Sequence, residues 1–187
     1  MLKEKEINQS NIYNNKIITF IGMMGTGKSK FGRLMAKNLD FTLYDIDSLI
    51  EKKFNNTIKK IFEENGEDFF RKTEESTIKE LIFNISQSNQ SSVISLGGGA
   101  FDNINTRTLL LEKSHVIWLN TPIEVLVNRV GDGSKRPMIR GDVKKSISEL
   151  LKKRIKYYSL SHDQLNTNKL NQNQIIEKIT KIISNEN

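Results

Sequence analysis

The sequence predicts a three-layer α/β/α fold built around a five-stranded parallel sheet. Short apolar runs, typical of buried strands, alternate along the chain with longer segments whose apolar residues recur at helical spacing. This alternation favours right-handed crossovers, which place neighbouring strands in parallel and cover both faces of the sheet with helices. With 187 residues the chain is long enough for one domain with a buried core. We therefore expect a polar leader over residues 1–15 and a single domain over residues 16–187.

The predicted strands are short and rich in β-branched, leucine or aromatic residues. In chain order they span Ile17–Ile21, Phe41–Asp45, Val93–Leu96, Val116–Leu119 and Gln164–Thr167. The predicted helices carry apolar residues three and four positions apart. In chain order they span Ser29–Leu39, Asp47–Phe54, Ile58–Glu64, Glu67–Ile85, Asn105–Lys113, Pro122–Arg129, Asp142–Tyr158 and Gln174–Ile183.

Two connecting features complete this plan. Thr121 precedes Pro122, and we expect it to cap the helix that the proline begins, because a threonine side chain can accept from a free N–H at a helix start. Residues Gly131–Gly141 hold three of the eleven glycines and one of the two prolines. That composition predicts an exposed loop.

Composition excludes several classes of function. The chain has no cysteine, so disulfides, thiolate zinc sites and cysteine nucleophiles are ruled out. Residues 1–15 lack the apolar stretch of a signal peptide, and no run approaches the roughly 18 apolar residues of a membrane helix. We therefore expect a cytoplasmic protein with no membrane partner.

The formal net charge of +7 raises the question of nucleic-acid binding. The lysines, however, occur as scattered pairs with acidic residues nearby, a pattern typical of solvated helix faces. We therefore expect no nucleic-acid partner. We also expect a monomer, because the sequence shows no spare apolar face.

The segment Gly22-Met23-Met24-Gly25-Thr26-Gly27-Lys28-Ser29 matches the P-loop pattern GxxxxGK followed by Ser or Thr. It lies between a predicted strand and a predicted helix, as phosphate binding by such a loop requires. Successive backbone N–H groups can then point at phosphate oxygens, helped by the positive end of the helix. We expect Lys28 to reach the β- and γ-phosphates and Ser29 to coordinate Mg²⁺. A flexible turn is the alternative, but the motif in this context predicts ATP or GTP binding.

Acidic residues and glycines follow two other predicted strands, where open α/β sheets hold their ligands. Asp45 and Asp47 stand at alternate positions, so both would point to one side if the strand continued. One could serve a metal and the other a hydroxyl, although a solvated strand end or a helix cap at Asp47 is an alternative. Three consecutive glycines, residues 97–99, would let a ligand approach the backbone closely, unless they form only a loose turn.

An ordered set of motifs gives the sequence a family likeness. After the P-loop come Tyr44-Asp45-Ile46-Asp47 with Glu51, Gly66-Glu67-Asp68-Phe69-Phe70-Arg71 with Glu74, Ser95-Leu96-Gly97-Gly98-Gly99-Ala100, Arg136-Pro137-Met138, and Arg154 with Tyr158. In this order and spacing they resemble the shikimate kinase family over about residues 17–183. The resemblance implies a nucleoside monophosphate kinase-like fold and Mg²⁺-dependent transfer of the ATP γ-phosphate to the 3-hydroxyl of shikimate, in aromatic amino acid biosynthesis.

The resemblance also implies where the acceptor binds. An acceptor-binding region would cover about residues 46–75, and a mobile lid about residues 131–141. Asp45 would help to hold Mg²⁺ through its water shell, while Asp47 would bind the reacting hydroxyl and is a candidate base. The other implied acceptor contacts are a clamp of three arginines, Arg71, Arg136 and Arg154, and the backbone of Gly97, Gly98 and Gly99. Glu74 would steady the arginines.

On the nucleotide side, the resemblance implies contacts from one loop and two arginines. These residues are Gly25, Thr26, Gly27, Lys28, Ser29, Lys30, Arg129 and Arg136. Arg129 resembles the arginine that packs on adenine, and Lys28 and Arg136 would join Asp47 as catalytic residues. Two positions depart from the family pattern, because Lys30 stands where threonine is usual and Lys156 where proline is common.

Alternative functions stay open at this point. Any one of the arginines alone would more simply form a surface salt bridge. Another small-molecule P-loop kinase, such as a gluconate kinase, would not need three acceptor-side arginines beside Asp47. A non-catalytic ATP-binding regulator would need neither Asp47 nor Arg71. Three further arginines have no assigned role: Arg33, Arg107 and Arg140.

Overall fold

The computed structural model describes residues 16–88, 90–134, 136–139 and 141–184. These residues form a five-stranded parallel sheet, which confirms the predicted fold class. Its strands are β1 (Ile17–Ile21), β2 (Thr42–Asp45), β3 (Ser92–Ser95), β4 (His115–Asn120) and β5 (Asp163–Asn166), arranged in the order β2-β3-β1-β4-β5. The predicted leader over residues 1–15 and Arg140 lie outside the described residues.

Helices connect the strands along the whole described chain. They are α1 (Lys28–Leu39), α2 (Ile46–Phe54), α3 (Ile58–Ser88), α4 (Ile104–Lys113), α5 (Ile123–Val130), α6 (Val143–Tyr158) and α7 (Gln172–Ser184). A short 3₁₀ turn over Ala100–Asp102 precedes α4. Every strand except the last is followed by at least one helix before the next strand begins, as the alternating sequence pattern predicts.

Side chains on opposite faces of the central strand β1 enter two separate cores. Ile17 and Ile21 lie in a core shared with helices α2 to α6, whereas Ile18 and Phe20 pack with α1 and α7. All four are buried. A strand covered on both faces is apolar at nearly every position rather than at alternate ones. The one polar residue of β1, Thr19, is buried with its hydroxyl hydrogen-bonded. The mostly apolar run of β1 and the three-layer arrangement therefore have the same cause.

Helix α3 contains a break at Gly66. This residue has φ 80° and ψ 174°, far outside helical values. A side chain there would meet nothing within 4 Å, so the backbone conformation, and not lack of space, favours glycine. The break divides α3 into two helical parts, in agreement with the prediction of two helices over residues 58–64 and 67–85.

The predicted cap of α5 is wrong. The residue that precedes the first helical residue is Pro122, and no side chain caps this helix end. The hydroxyl of Thr121 instead lies 2.7 Å from the hydroxyl of Thr167, in the buried connection beyond β4 and β5. A buried hydroxyl needs a partner, and tertiary structure supplies one that the local sequence does not reveal.

None of the helices in the described ranges has both the length and the apolar character needed to cross a membrane.

Candidate active site

The P-loop connects β1 to α1 with a conformation that depends on glycine. Gly22 has φ +137°, and a Cβ there would lie 2.6 Å from the carbonyl oxygen of Leu119 on β4. No other residue fits both the backbone angle and the contact. Close packing against β4 therefore holds the loop at the carboxyl end of the sheet, where helix α1 begins at Lys28.

The side chain of Lys28 lies inside this loop. Its Nζ donates hydrogen bonds to the carbonyl oxygens of Gly22, at 2.8 Å, and Met23, at 2.9 Å. Burial lowers the pKa of Lys28 to about 8; Asp47 opposes this effect, and Arg136 adds to it. The ammonium thus lies inside the loop. A phosphate bound next to it would stabilise its charged form.

Oxygen ligands meet beside the loop at the ends of β2 and β3. Ser29 Oγ donates to Asp45 Oδ2 at 2.5 Å and lies 3.3 Å from Ser95 Oγ. Asp45 and Ser95 are paired residues in the register of these parallel strands, so the sheet itself brings them together. Mg²⁺ prefers such hard oxygen donors and usually keeps several waters and phosphate oxygens as its other ligands. The residues present therefore fit a Mg²⁺ site.

The metal would depend on those non-protein ligands. Within the described residues no group of three or more His, Asp or Glu side chains could hold a metal ion by itself. One carboxylate and one hydroxyl suit an ion that arrives with a nucleotide better than a permanently bound metal.

A second pocket opens next to the P-loop, on the side of α2 and α3. It encloses about 450 Å³ of empty space, part of it open to solvent. Its apolar walls are Met24, Ile58, Phe62, Phe70, Pro137 and Met138. Its charged groups are Asp47, Arg71, Glu74, Arg136 and Arg154. All three arginines of the predicted clamp therefore face one cavity, together with Asp47.

The three glycines after β3 form the floor of this pocket. A Cβ at Gly97 would lie 2.6 Å from Glu74 Oε1 and 2.9 Å from Asp47 Oδ1. A Cβ at Gly99 would lie 2.6 Å from Arg71 Nη2 and 2.8 Å from Arg154 Nη2. A side chain at Gly97 or Gly99 would therefore push these charged groups out of their positions. Gly98 has only ordinary contacts, at 3.4 Å or more.

Arg71 and Glu74 form a buried ion pair one turn apart on α3. Arg71 Nη1 donates to Glu74 Oε2 at 2.6 Å, and Glu74 is only 2% exposed. Burial raises the pKa of Glu74 to about 7, against the opposing attraction of Arg71. Burial would lower the pKa of Arg71, but the attraction of Glu74 raises it. The guanidinium is therefore held in place as a permanent cation.

Arg154 reaches the same floor from α6. It is 3% exposed, and its Nε donates to Asp102 Oδ2 at 3.1 Å. Nearby, the hydroxyl of Tyr158 donates to the carbonyl oxygen of Gly98, which anchors α6 to the glycine segment. The motif that pairs Arg154 with Tyr158 thus places one helix face against the floor of the pocket.

Asp47 reaches the pocket in a different way from the one expected. Strand β2 ends at Asp45, and Asp47 lies in the first turn of α2, so the strand does not continue to Asp47 and the two side chains do not share one strand face. Nor does Asp47 cap the helix: Asp45 is the N-cap and accepts from the backbone N–H of Ser48. Burial raises the pKa of Asp47, Asp45 adds to the effect, and Lys28 opposes it. Asp47 therefore faces both the P-loop lysine and the second pocket.

Arg136 lies where the two sites meet. It is exposed and lines both the second pocket and the cleft of the P-loop. Arg129 lies on the outer side of the loop, where its Nη1 donates to the carbonyl oxygen of Gly25 at 3.0 Å. Lys30 is exposed next to the same cleft. The structure thus brings every described candidate residue to one end of the sheet.

Three residues at this end of the sheet were not predicted: Ser95, Asp102 and Arg107. Ser95 could have been found from the sequence, because it is a small polar residue at the end of a buried strand. Asp102 and Arg107 carry no comparable signal in the sequence. The partner of Asp102 is Arg154, 52 residues away, and Arg107 donates to backbone carbonyl oxygens.

Comparison with known proteins gives a consistent result. The family model for shikimate kinase matches residues 24–184. Shikimate kinase from Sulfurihydrogenibium sp. (strain YO3AOP1) is 34% identical over 168 residues, or 89% of this chain and 98% of that protein. Shikimate kinase from Zymomonas mobilis subsp. mobilis is 38% identical over 147 residues, or 78% and 81%. The structure of shikimate kinase from Acinetobacter baumannii in complex with shikimate matches at 30% identity with a TM-score of 0.87, over 95% of this chain and 98% of that one.

Proposed function

The chain belongs to the shikimate kinase family, and we propose that its second pocket binds shikimate and presents the 3-hydroxyl to the γ-phosphate of ATP. One observation carries the assignment of residues: Arg71, Arg136 and Arg154, from three distant parts of the chain, line one cavity with Asp47. Guanidinium groups match a carboxylate in both direction and charge. A small anionic alcohol is the acceptor that this set of groups would recognise.

The same charges explain how neutral molecules are rejected. A sugar without a carboxylate would leave the buried guanidinium of Arg154 without its ligand, and that loss lowers affinity strongly. A gluconate kinase is a poorer fit, because the walls of the pocket are partly apolar and include the aromatic rings of Phe62 and Phe70. A non-catalytic regulator would have no use for Asp47 between the two sites.

Phosphoryl transfer needs alignment and charge neutralisation more than covalent help from the protein. Lys28 lies inside the P-loop, where it would contact the β- and γ-phosphates. Arg136 stands between the two sites and would neutralise the γ-phosphoryl group during transfer. Asp47 would hold the 3-hydroxyl in line with that group and accept its proton.

Ser29 and Asp45 would hold Mg²⁺, Asp45 through water molecules. When bound, Mg²⁺ supplies charge neutralisation to the phosphate chain. The backbone of Gly25, Thr26 and Gly27 would bind phosphate oxygens, with Lys30 at the edge of the cleft. Arg129 would pack on adenine from its position on the outer side of the loop.

The segment over about residues 131–141 would act as a lid on the region over about residues 46–75. Arg136, Pro137 and Met138 belong to this segment and already line the acceptor pocket. Closure would bring Arg136 to the reacting phosphoryl group and exclude water, which limits wasteful hydrolysis of ATP.

We also propose that the chain acts as a cytoplasmic monomer with no nucleic-acid or membrane partner. ATP as co-substrate fits that compartment. The arginines of the site face a small cavity instead of an extended surface.

The proposed function is tested by ADP release in the presence of Mg²⁺ and ATP. The panel of acceptors contains shikimate, quinate, gluconate, nucleoside monophosphates and RNA. We expect strong stimulation by shikimate alone. Stimulation by gluconate would favour the alternative kinase, and no stimulation by any acceptor would favour a regulator.

Replacing Arg136 with alanine should weaken shikimate binding and slow transfer together, because this residue lines both sites. We expect the KM for shikimate to rise about tenfold and kcat to fall about 10²-fold. Steady-state kinetics measures both values, with Arg33→Ala as a control that removes an exposed arginine from α1. An effect on thermal stability alone would assign Arg136 to surface charge.

The buried ammonium of Lys28 predicts a pH dependence of ATP binding. Its pKa is about 8, and an adjacent phosphate would raise it, so above pH 8 binding must take up a proton. Below pH 8 the lysine is already charged and affinity is constant. We therefore expect ATP affinity to fall about tenfold from pH 7 to pH 9. Isothermal titration of ATP against pH measures this, and the same slope in Lys28→Met would contradict the assignment.

A further inference from the structure

Asp102 contacts the Nε edge of Arg154. It is the last residue of the 3₁₀ turn that follows the three glycines. Its Oδ2 accepts the Nε–H of Arg154 at 3.1 Å, and its Oδ1 is buried with no hydrogen-bond partner among the described residues. This carboxylate lies beside the cationic pocket without taking part in the implied family motifs.

The contact leaves one edge of the guanidinium for a ligand. A guanidinium can bind a carboxylate through its Nε edge or through its two terminal nitrogens. Asp102 occupies Nε. Both terminal nitrogens lie along the floor, because a Cβ at Gly98 would be 3.4 Å from Nη1 and one at Gly99 would be 2.8 Å from Nη2. An acceptor carboxylate would therefore meet the terminal nitrogens.

Arg107 fixes Asp102 to the helix that carries Arg154. Its Nη1 donates to the carbonyl oxygens of Phe101 and Asp102, both at 3.0 Å. Its guanidinium also lies over the ring of Tyr157 on α6, 4.7 Å from the ring centre. The 3₁₀ turn, α4 and α6 are thus tied together around the Asp102–Arg154 contact, so the position of the Asp102 oxygen is well defined.

We infer that Asp102 is a positioning residue for the acceptor carboxylate: it holds Nε of Arg154 and so aims the two terminal nitrogens into the pocket. This inference rests on the proposed function, because it takes Arg154 as a ligand of the acceptor. Arg71 in the same pocket is also held by a carboxylate, although through a terminal nitrogen: its Nη1 donates to Glu74 Oε2 at 2.6 Å. Two fixed guanidinium groups then approach the same glycine, Gly99, without either being free to turn away.

The test separates the position of the oxygen from its charge. Asp102→Asn keeps an oxygen at the same place but removes the charge, whereas Asp102→Glu keeps the charge and moves it by one methylene. We expect Asp102→Ala and Asp102→Glu to raise the KM for shikimate about tenfold, with kcat and the KM for ATP within about threefold of wild type. Asp102→Asn should restore the KM to within about threefold.

Glu112→Ala is the control, because it removes an exposed carboxylate from the neighbouring helix α4. Should Asp102→Ala fail to fold, the comparison of the Asn and Glu variants decides alone. A wild-type KM in Asp102→Glu with a raised KM in Asp102→Asn would show that charge matters and position does not, and would overturn the inference. A wild-type KM in every variant would overturn it as well. Failure of the unmodified chain to phosphorylate shikimate would instead contradict the proposed function.

Discussion

Replacing Lys28 with alanine is expected to lower the rate of phosphoryl transfer about 10³-fold, the upper range for loss of one preorganised donor. The ammonium is buried in the P-loop and held by two carbonyl oxygens, so it is in place before the nucleotide arrives. Alanine removes the cation from the point where charge develops on the transferring group, and no solvent molecule in the loop can replace it. Single-turnover measurement of ADP formation gives the rate of the chemical step.

The same variant should keep most of its affinity for shikimate. The acceptor pocket is lined by other residues, so we expect its Kd for shikimate to stay within about threefold of the wild-type value. Lys37→Ala removes an exposed lysine from the same helix and should leave both quantities unchanged. Transfer at the parental rate in Lys28→Ala would overturn the assignment of the phosphate-binding loop.

The three central strands, β1, β3 and β4, could be predicted because burial on both faces leaves a strong local signal. Strand β1 occupies the residues that its apolar run indicates, Ile17–Ile21. The break in α3 was also visible, since Gly66 interrupts a helical pattern. The cap of α5 could not be predicted, because Thr121 has a tertiary partner, Thr167, that competes with its local role. Local propensity fails where a distant residue offers a better hydrogen bond.

Convergence of the site could be predicted because parallel strands present their carboxyl ends at one edge of the sheet. Asp45 and Ser95 show this directly, as paired residues of neighbouring strands. The elements that carry Asp47 and Asp102 into the site could not be predicted in the same way. Asp47 lies on a helix turn and not on the strand, and Asp102 reaches Arg154 across 52 residues of sequence. Such contacts depend on how helices pack, which the spacing of motifs does not contain.

The glycine segment links the fold to the chemistry. Residues 97–99 follow β3 after a single residue, Leu96, so the sheet fixes where they lie. Because Gly97 and Gly99 carry no side chain, carboxylates from α2 and α3 and guanidinium groups from α3 and α6 can approach the same short stretch of backbone. A side chain at Gly99 would displace two arginines at once.

Replacing Asp47 with asparagine is expected to lower kcat about 10²- to 10⁴-fold, the usual contribution of a general base. The amide has nearly the same shape and can still bond the 3-hydroxyl, but it cannot accept the proton. If Asp47 only orients the hydroxyl, the loss should be smaller, about tenfold. Steady-state kcat with saturating ATP and shikimate measures the difference, and unchanged turnover would remove Asp47 from the chemistry.

The pH profile separates the two roles of Asp47 further. Burial raises its pKa, and a base must be ionised to act, so activity should be lost as the pH falls through that raised value. An ordinary aspartate would place the acid limb of kcat/KM near pH 4. With Asp47 as the base, the limb should therefore lie at a higher pH. Asp47→Asn should lack this limb. Asp40→Asn, the same change at the exposed left-handed C-cap of α1, should keep the wild-type profile, because asparagine tolerates that conformation. An acid limb that persists in Asp47→Asn would assign the titration to another group and leave Asp47 as an orienting residue only.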